Sequence, residues 1–437
     1  MQHVDTLIKA GWIVTVDDDF RVLENHALAI DQGRIVAITD QSDRFSAHHV
    51  HELPGHVLMP GLVNAHGHAA MSLLRGLSDD VPLMTWLNDH IWPAEQRHVD
   101  ARFVADGSLL AMAEMILSGT TTFSDMYFFP ETVADIAERT GMRCQLSFPV
   151  FNVASNWGNN ADDYLAKGLA LIDKYRAHPL IRIAFGPHAP YTVSDEVLLR
   201  VAALAEQHCV PIQMHLHETA DEVHSAVQQS GQRPLQRIAS LGLLGPHFQA
   251  VHMVHLNDDD IALVADSGSH IIHCPESNLK LASGFCQLKR CLDAGINVAL
   301  GTDGPASNSD LDLFGEMRSA ALLAKAVAND ASAVDARQAI RMATINGARA
   351  LGIEAMTGSL ETGKAADIIA IDCSGLGHQP LHQPLSQLVY THVSHKVSHS
   401  WVAGRPLLDN YRLTTIDSDA CLAAARHWHG KLASPNP

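Results

Sequence analysis

The chain alternates short apolar runs with longer amphipathic stretches from about residue 58 to residue 355. The longer stretches, such as Asp106–Leu117, Val197–Glu206 and Ala333–Ala350, place apolar residues three and four positions apart, which is typical of helices packed on one face. Eight strands that alternate with helices favour a closed α/β barrel of the TIM (β/α)8 type, which needs about 250 residues. The apolar runs are Leu62–Ala65, Thr121–Ser124, Gln145–Val150, Ile181–Phe185, Pro211–Met214, Ala250–Val254, His270–His273 and Val298–Leu300.

The two ends of the chain have short strand-like runs instead of this alternation. At 437 residues the chain exceeds the size at which a single core stops growing, so a second, smaller domain is expected. We expect residues 1–57 and 356–437 to form one composite β-sandwich-like domain, with residues 58–355 forming the barrel. The predicted strands at the two ends are Leu7–Val16, Ala27–Ile30, Arg34–Ile38, Asp367–Ile371, Leu388–His392 and Ser400–Val402, with a turn at Gly404–Pro406.

The charge of the chain narrows the class of partner. Lysine and arginine number 30, aspartate and glutamate number 48, and the formal net charge is −18. Such a chain repels phosphate backbones and anionic lipid, so nucleic acid and membrane surfaces are excluded as expected partners. A neutral or zwitterionic small molecule is the predicted partner, together with further copies of the same chain in a homo-oligomer.

Seven cysteines are scattered along the chain without a CxxC pair, which favours a reducing compartment over a disulfide framework. The N-terminus lacks the basic-then-apolar pattern of a signal peptide, and no apolar run is long enough to span a bilayer. We therefore expect a cytoplasmic protein.

Three polar segments follow predicted barrel strands, and barrel enzymes place their chemistry at these carboxyl ends. The first strand ends in PGLVNAHGH, where His66 and His68 project to the same side because strand side chains alternate. The fifth ends at His215 and the eighth at Asp303, inside the segment GTDG. An isolated histidine means little among 28, but three imidazoles and a carboxylate at strand ends one, five and eight predict a zinc site.

Two carboxylates near this site are candidates for proton transfer. Glu218 lies three residues after His215, where it can approach a metal without binding it and carry a proton between water and substrate. Asp303 is a candidate general base as well as a ligand. The alternative for Asp303 is a helix cap, a role that Ser307, Asn308 or Asp310 can fill instead. The neighbouring His217 is expected to face the barrel wall.

The segments PGLVNAHGH, HLHE and GTDG resemble those of the amidohydrolase superfamily of metal-dependent barrel hydrolases, and the resemblance covers nearly the whole chain. The resemblance implies that His66, His68, His215 and Asp303 are the metal ligands. Some members hold two metals bridged by a carboxylated lysine after strand four. Here that strand ends in FGPHAP without a lysine, which implies one Zn²⁺ per chain, or another divalent ion in its place.

Further segments are similar to those of the methylthioadenosine and S-adenosylhomocysteine deaminases, a group within that superfamily. They are MTWL and HIWPAE before residue 96, GPHAPYT at 186–192 and GPASNSDLD at 304–312. The resemblance implies that Glu95 binds the ribose hydroxyls, that His188 contacts the nucleoside and that Trp86 covers it from a lid. Trp92 is expected to pack this lid onto the barrel. The resemblance also implies an active-site histidine at the end of strand six. We assign this position to His252 and keep His255 as the alternative.

The expected reaction is hydrolytic deamination at C6 of adenine. In it Glu218 protonates N1, Asp303 accepts the proton of the attacking water, and His252 steadies the developing charge. Members that use S-adenosylhomocysteine well can carry an arginine at the end of strand three. Here Arg143 begins that strand, so 5′-methylthioadenosine or adenosine is favoured and S-adenosylhomocysteine is secondary.

Two other functions are compatible with the same metal set. One is a guanine-, 8-oxoguanine- or triazine-type amidohydrolase, which only the substrate-binding residues separate from a nucleoside deaminase. The other is an inactive barrel serving as an assembly scaffold, although such loss usually removes a ligand and none is missing here.

Overall fold

The computed structural model describes residues 2–433, which form two eight-stranded sheets surrounded by helices. In chain order, the strands are β1 (Gln2–Val14), β2 (Val22–Asp31), β3 (Arg34–Thr39), β4 (Phe45–Pro60), β5 (Leu62–Gly67), β6 (Thr120–Asp125), β7 (Arg143–Val150), β8 (Ile181–Pro187), β9 (Ile212–Leu216), β10 (Phe248–His252), β11 (His270–His273), β12 (Val298–Leu300), β13 (Ile368–Asp372), β14 (Val397–Val402), β15 (Arg405–Asp409) and β16 (Arg412–Leu413).

The helices lie mainly between the strands of the second sheet. They are α1 (Leu83–Thr85), α2 (Trp92–His98), α3 (Ala101–Leu117), α4 (Pro130–Thr140), α5 (Ala161–Tyr175), α6 (Asp195–His208), α7 (Ala220–Ser230), α8 (Pro234–Ser240), α9 (Asp258–Ser267), α10 (Pro275–Lys280), α11 (Leu288–Asp293), α12 (Leu313–Ala328), α13 (Ala336–Met342), α14 (Ile345–Ala350), α15 (Pro384–Tyr390) and α16 (Ser418–Leu432). Short 3₁₀ segments cover Ser42–Arg44, Ala69–Leu74, Leu376–His378 and Ser394–Lys396, and a π-helical segment covers Trp86–Ile91.

Strands β5 to β12 are parallel neighbours in chain order, and they form the predicted barrel. A parallel bridge between Gly67 and Asp303 joins the ends of the first and last strands. The eight predicted apolar runs overlap these strands in order. Their side chains are almost all buried because both faces of a parallel sheet are covered, one by helices and one by the barrel interior. This closure brings the ends of β5, β9 and β12 to one mouth.

The second sheet combines both ends of the chain, as predicted. Its order is β16-β15-β14-β13-β4-β1-β2-β3, with β1 and β4 parallel and the other pairs antiparallel. The domain limits at residues 57 and 356 stay a prediction. Helix α16 falls within the range predicted for this domain but packs on the barrel helix α3. There the Trp428 and Phe103 rings are 5.0 Å apart, and Trp428 Nε1 donates to Asp106.

A buried ion pair connects the two sheets at the N-terminal end of the barrel. Arg143, the first residue of β7, donates through Nε and Nη2 to the carboxylate of Asp367, at 2.9 and 3.2 Å. Both side chains are almost fully buried, and Asp367 also accepts a hydrogen bond from the Ala403 backbone. Arg143 is therefore committed to the opposite end of the barrel from the metal-ligand candidates.

Two predicted elements differ from the structure. The segment Leu388–His392 is not a strand: Leu388 to Tyr390 end helix α15, which starts at Pro384. A proline suits the first turn of a helix because its fixed φ is helical and its missing N–H is not needed there. The stretch Ala333–Ala350 contains two helices, α13 and α14, separated at Thr344. Within residues 2–433, we find no helix whose length and hydropathy would let it cross a membrane.

Candidate active site

Four side chains from three barrel strands converge at the mouth of the barrel. His66, His68, His215 and Asp303 each bring one ligand atom to within 4.8 Å of the others. Asp303 Oδ1 lies 3.1 Å from His68 Nε2 and 3.5 Å from His66 Nε2. The four candidates chosen from the sequence are thus neighbours in the fold, although they span more than half of the chain.

The hydrogen bonds of the three imidazoles orient their Nε2 atoms towards the same centre. Each Nδ1 faces an oxygen acceptor, so each Nδ1 carries the proton and each Nε2 keeps a lone pair, which is how a histidine binds a metal. The acceptors are Gln213 Oε1 for His66 at 2.8 Å, the Met126 carbonyl for His68 at 2.6 Å and the His188 carbonyl for His215 at 2.9 Å. In addition, His66 Nε2 is buried without a hydrogen-bond partner.

Asp303 is held by its backbone as well as by its side chain. Its φ is +61°, in the left-handed region that non-glycine residues rarely adopt, and its backbone nitrogen donates to the His66 carbonyl. Its Oδ2 accepts from Ser277 and Ser307, at 2.6 and 2.9 Å, which leaves Oδ1 facing the histidines. Burial alone would raise the pKa of Asp303, but the adjacent imidazoles of His66 and His68 hold it well below its usual range.

Glycine is needed beside this site because the first and last strands approach closely. A Cβ at Gly301 would lie 2.9 Å from the backbone nitrogen of His66. The cap of the next helix, α12, is Asp312, whose side chain accepts from the Phe314 backbone. Asp303 therefore caps no helix here, and neither do the predicted alternatives Ser307, Asn308 and Asp310.

Three imidazole nitrogens and one carboxylate fit a single zinc-type ion, because zinc takes nitrogen, oxygen and sulfur ligands and can expand from four to five ligands when water or substrate binds. The orphaned His66 Nε2 supports this fit, since a buried nitrogen without a partner is otherwise costly. Strand β8 ends at Pro187 and continues into His188, without a lysine that could bridge two ions. The donor set therefore corresponds to one divalent metal.

Below the histidines, three buried glutamines cross the interior of the barrel. Gln213 turns its oxygen to His66 and donates through Nε2 to Gln249 Oε1 at 2.7 Å and to the Ala65 carbonyl at 3.0 Å. Gln249 Nε2 in turn contacts Gln145 Oε1, at 3.2 Å. These amides determine which nitrogen of His66 carries the proton.

Glu218 lies at the same mouth, beyond the end of β9. Its backbone nitrogen donates to the Glu222 carboxylate at 2.8 Å, which fixes the loop, and its Oε2 is 3.7 Å from His252 Nε2. Burial, together with the negative charge of Asp303, raises the pKa of Glu218 to about 8. This carboxyl group is therefore suited to hold a proton at neutral pH and to release it to a substrate.

The two strand-six histidines occupy different places. His252 is buried, with its ring 5.5 Å from that of His215 and its Nδ1 2.9 Å from Asn278 Oδ1. His255 instead contacts the Ser283 carbonyl through Nε2 at 2.6 Å and does not line the cavity. His217 faces the wall, where its Nε2 accepts from the Leu235 backbone.

An apolar cavity opens above the metal-ligand candidates. Glu218, His188 and His252 line it, as do the predicted lid residue Trp86 and the packing residue Trp92. Trp86 is anchored by a hydrogen bond from its indole nitrogen to the Ser78 carbonyl. The remaining apolar lining consists mainly of Met71, Leu83, Leu87, Ile91, Met126, Phe128, Pro149, Phe151 and Leu281. No lysine or arginine is among these lining residues, all of which lie in the described part of the chain.

Glu95 points into this cavity from helix α2, with one carboxylate oxygen already bound. The Tyr127 hydroxyl donates to its Oε1 at 2.6 Å, and Asn156 donates to its backbone carbonyl at 3.0 Å. Burial raises the pKa of Glu95 to about 7, although the hydrogen bond from Tyr127 opposes the shift. The second oxygen, Oε2, has no such protein donor among the described hydrogen bonds and is available to a ligand hydroxyl.

Sequence reasoning missed Tyr127 and Ser277 and considered Ser307 only as a helix cap, although each has a clear place in the site. Tyr127 lies two residues beyond β6, so its position after a barrel strand was the available signal. Phe151 and Trp86 line the cavity and offer apolar contacts to a substrate, whereas Phe148 packs against Phe185 inside the barrel wall.

Comparisons with known proteins agree with this architecture. The model of the amidohydrolase family matches residues 57–407, and the chain belongs to that family. The family membership confirms the resemblance that the strand-end segments gave.

Several individual proteins of known name are similar to this chain along nearly its whole length. The chain is 52% identical to 5-methylthioadenosine/S-adenosylhomocysteine deaminase of Teredinibacter turnerae, over 99% of this chain and 98% of that protein. The solved structure of an adenosine deaminase from Xanthomonas campestris with bound zinc has a TM-score of 0.97 and 47% identity, over 99% of both chains. Atrazine chlorohydrolase from Arthrobacter aurescens, complexed with zinc, has a TM-score of 0.91 and 26% identity, over 97% of this chain and 99% of that one.

Proposed function

We propose that this chain is a zinc-dependent deaminase of adenine nucleosides, which releases ammonia and leaves an inosine-type product. The observation that carries the proposal is one cavity whose lining includes three of the four metal-ligand candidates together with Glu218 and Glu95; the fourth candidate, His66, lies beside them. A carboxylate with a free oxygen is a strong acceptor for ribose hydroxyls. The names of the similar deaminases support the same substrate class.

Each of the site residues has a separate role in the reaction. A bound divalent ion would supply a Lewis acid that lowers the pKa of a water molecule to about 7. Asp303 accepts a proton from the attacking water, since its carboxylate stays ionised beside His66 and His68. Glu218 donates a proton to adenine N1, and its raised pKa supports a protonated starting state. His252, 3.7 Å from Glu218, steadies the charge that develops when the water oxygen attacks C6.

The other lining residues hold the nucleoside. Glu95 accepts hydrogen bonds from the ribose hydroxyls while Tyr127 keeps its carboxylate in place. His188 contacts the nucleoside with its ring, which is neutral because burial lowers its pKa to about 3. Trp86 covers the ligand from the segment that precedes α2.

The preferred nucleosides are 5′-methylthioadenosine and adenosine. A thioether methyl group needs only apolar surface, which Phe151, Phe128 and Trp86 supply. The homocysteine carboxylate of S-adenosylhomocysteine would meet a cavity without a lysine or arginine, and leaving a charge without a partner costs binding energy. Of the three nucleosides, S-adenosylhomocysteine should therefore have the lowest kcat/KM.

The test is an ammonia-release screen of the zinc-loaded protein with adenosine, methylthioadenosine, S-adenosylhomocysteine, guanine, 8-oxoguanine and a chloro- or amino-triazine. We expect the highest kcat/KM for methylthioadenosine or adenosine. The bases and triazines lack a ribose, so Glu95 has no partner in them. Release from guanine or a triazine alone would assign the alternative amidohydrolase activity, and no release from any compound by metal-loaded protein would favour an inactive scaffold.

The proposal also includes a cytoplasmic location and a homo-oligomer. All seven cysteines are free, and six of them are buried, which suits a reducing compartment. The exposed apolar side chains of Val153 and Phe285 offer surface to a second copy. Light scattering on the purified protein measures the number of chains, and a monomer at micromolar concentration would contradict the oligomer.

A further inference from the structure

A second cluster of metal-ligating side chains lies in the sheet formed by the two chain ends. His51 on β4, His399 on β14 and Asp409 on β15 bring one ligand atom each to within 4.8 Å of one another. We propose that these three side chains form a second divalent-metal site, which takes a Zn²⁺-type ion with water completing the coordination. Two imidazoles and a carboxylate are the donors that zinc and its first-row neighbours prefer.

The hydrogen bonds of His399 leave one of its nitrogens facing a carboxylate. The Ser398 hydroxyl lies 3.2 Å from the Ala370 carbonyl, which can only accept, and 2.8 Å from His399 Nδ1. When the hydroxyl donates a hydrogen bond to the Ala370 carbonyl, it accepts one from Nδ1–H of His399. Nε2 of His399 then keeps its lone pair. That lone pair then lies 3.2 Å from Asp409 Oδ1. In this tautomer two electron-rich atoms face each other, an arrangement that a cation bound between them would stabilise.

A metal ion binds the unprotonated nitrogen of a neutral imidazole, and in this tautomer Nε2 of His399 offers that nitrogen towards Asp409. In the opposite tautomer Ser398 donates to Nδ1, and Nε2–H donates to Asp409 without any ion. Only the tautomer with a lone pair on Nε2 can bind a metal, so measuring metal uptake distinguishes the two tautomers.

Trp401 fixes the planes of both imidazoles. The His399 ring is stacked on Trp401 with a centroid distance of 5.5 Å and an angle of 7°, and the His51 ring is nearly perpendicular to Trp401 with a centroid distance of 5.3 Å. Two ligand atoms on one tetrahedral zinc are about 3.4 Å apart, since each bond is about 2.0–2.1 Å. The His51 ring, which is only partly buried, can close the remaining gap by a small rotation.

The site would join the two ends of the chain. Strand β4 belongs to the N-terminal part of the sheet, whereas β14 and β15 belong to the C-terminal part, and β13 lies between them. His56, further along β4, adds another imidazole 6.3 Å from His399, and its buried Nδ1 has no hydrogen-bond partner. An ion held by His51, His399 and Asp409 would therefore link the strands across β13.

Zinc counting on the holoenzyme tests the proposal. The protein is equilibrated with excess zinc sulfate, passed through a desalting column and analysed for metal. We expect two zinc ions per wild-type chain, one in His51→Ala and Asp409→Asn, and two in the control His429→Ala, which removes an exposed histidine of α16. Deaminase activity should persist in all of these variants. One ion in the wild type, or two in Asp409→Asn, would overturn the second site.

Tryptophan fluorescence gives a measurement that does not depend on how His51→Ala folds. Cu²⁺ binds such donor sets more tightly than zinc and quenches nearby indoles. We expect one equivalent of Cu²⁺, added to the zinc-loaded wild type, to quench part of the tryptophan emission. Trp401→Phe should not show this quenching. The same quenching should be lost in Asp409→Asn. Equal quenching in wild type and Asp409→Asn would place the copper elsewhere and refute the proposal.

Discussion

The contact between Glu95 and the ribose can be tested by removing either partner. In the structure, one oxygen of the buried Glu95 carboxylate is taken by Tyr127, and the other is available to the ligand. A hydrogen bond to a charged group contributes roughly 1.5–3 kcal/mol. Since 1.36 kcal/mol corresponds to a factor of ten, each ribose hydroxyl bound by Glu95 should be worth about ten- to a hundred-fold in kcat/KM.

The assay compares adenosine with 2′,3′-dideoxyadenosine in wild type and in Glu95→Gln. The wild type should prefer adenosine by about ten-fold or more, and the variant should lose most of this preference because an amide is a weaker, uncharged acceptor. Glu131→Gln, which changes a carboxylate that contacts Trp157 and does not line the cavity, is the control and should keep the wild-type ratio.

The ratio of the two substrates is the decisive quantity, because a general loss of folding or metal would lower both rates together. A preference for adenosine that survives unchanged in Glu95→Gln would show that another group binds the ribose. The proposed role of Glu95 would then be wrong, even if the chain deaminates adenosine.

Four further outcomes are expected. Glu218→Gln should keep metal and nucleoside binding but lose turnover by orders of magnitude, since an amide cannot relay a proton; near-normal turnover would remove Glu218 from the mechanism. In Asp409→Asn, which lacks the proposed second site, loss of activity in a strong chelator should be reversed by one equivalent of zinc, and a need for two would contradict a single-ion catalytic centre. Asp367→Asn should lower the unfolding free energy by about 3–5 kcal/mol because it leaves Arg143 buried and unpaired, whereas Glu52→Gln at an exposed pair should cost less than about 1 kcal/mol in urea denaturation. Burial lowers the pKa of His273 to about 3, so the unfolded chain, with a histidine pKa near 6.5, binds the extra proton between these values. Stability should therefore fall as the pH drops below 6.5, and His273→Gln should reduce that slope; an unchanged slope would show that other groups cause it.

The placement of the metal-ligand candidates was predictable because a parallel barrel collects the carboxyl ends of its strands at one mouth. His66, His215 and Asp303 each follow an apolar run, and the order of those runs sufficed to bring them together. The support of Asp303 was not predictable in the same way. Its serine partner Ser277 comes from helix α10, and only the three-dimensional packing aligns it with Oδ2.

The tail was predicted less well because its local signals conflict. Leu388 to His392 are apolar enough for a strand, but Pro384, at the first turn of α15, was the stronger signal for a helix. Helix α16 was not predicted, although Cys421 and Trp428 lie seven positions apart and are its buried residues. Two buried positions in a helix of this length give only a weak periodic signal in the sequence, so the helix was difficult to predict.

The glutamines beneath the histidines constrain how this chain can change. An amide has distinct ends, and Gln213 can offer its oxygen to His66 only while its nitrogen finds acceptors at Gln249 and the Ala65 carbonyl. Gln145 and Gln249 depend on each other in the same manner, so replacing one member leaves its neighbours with unmatched donors or acceptors. We expect these three positions to covary among descendants of a common ancestor, so that single replacements are rare and joint replacements mark lineages whose metal-facing imidazole is oriented by different partners.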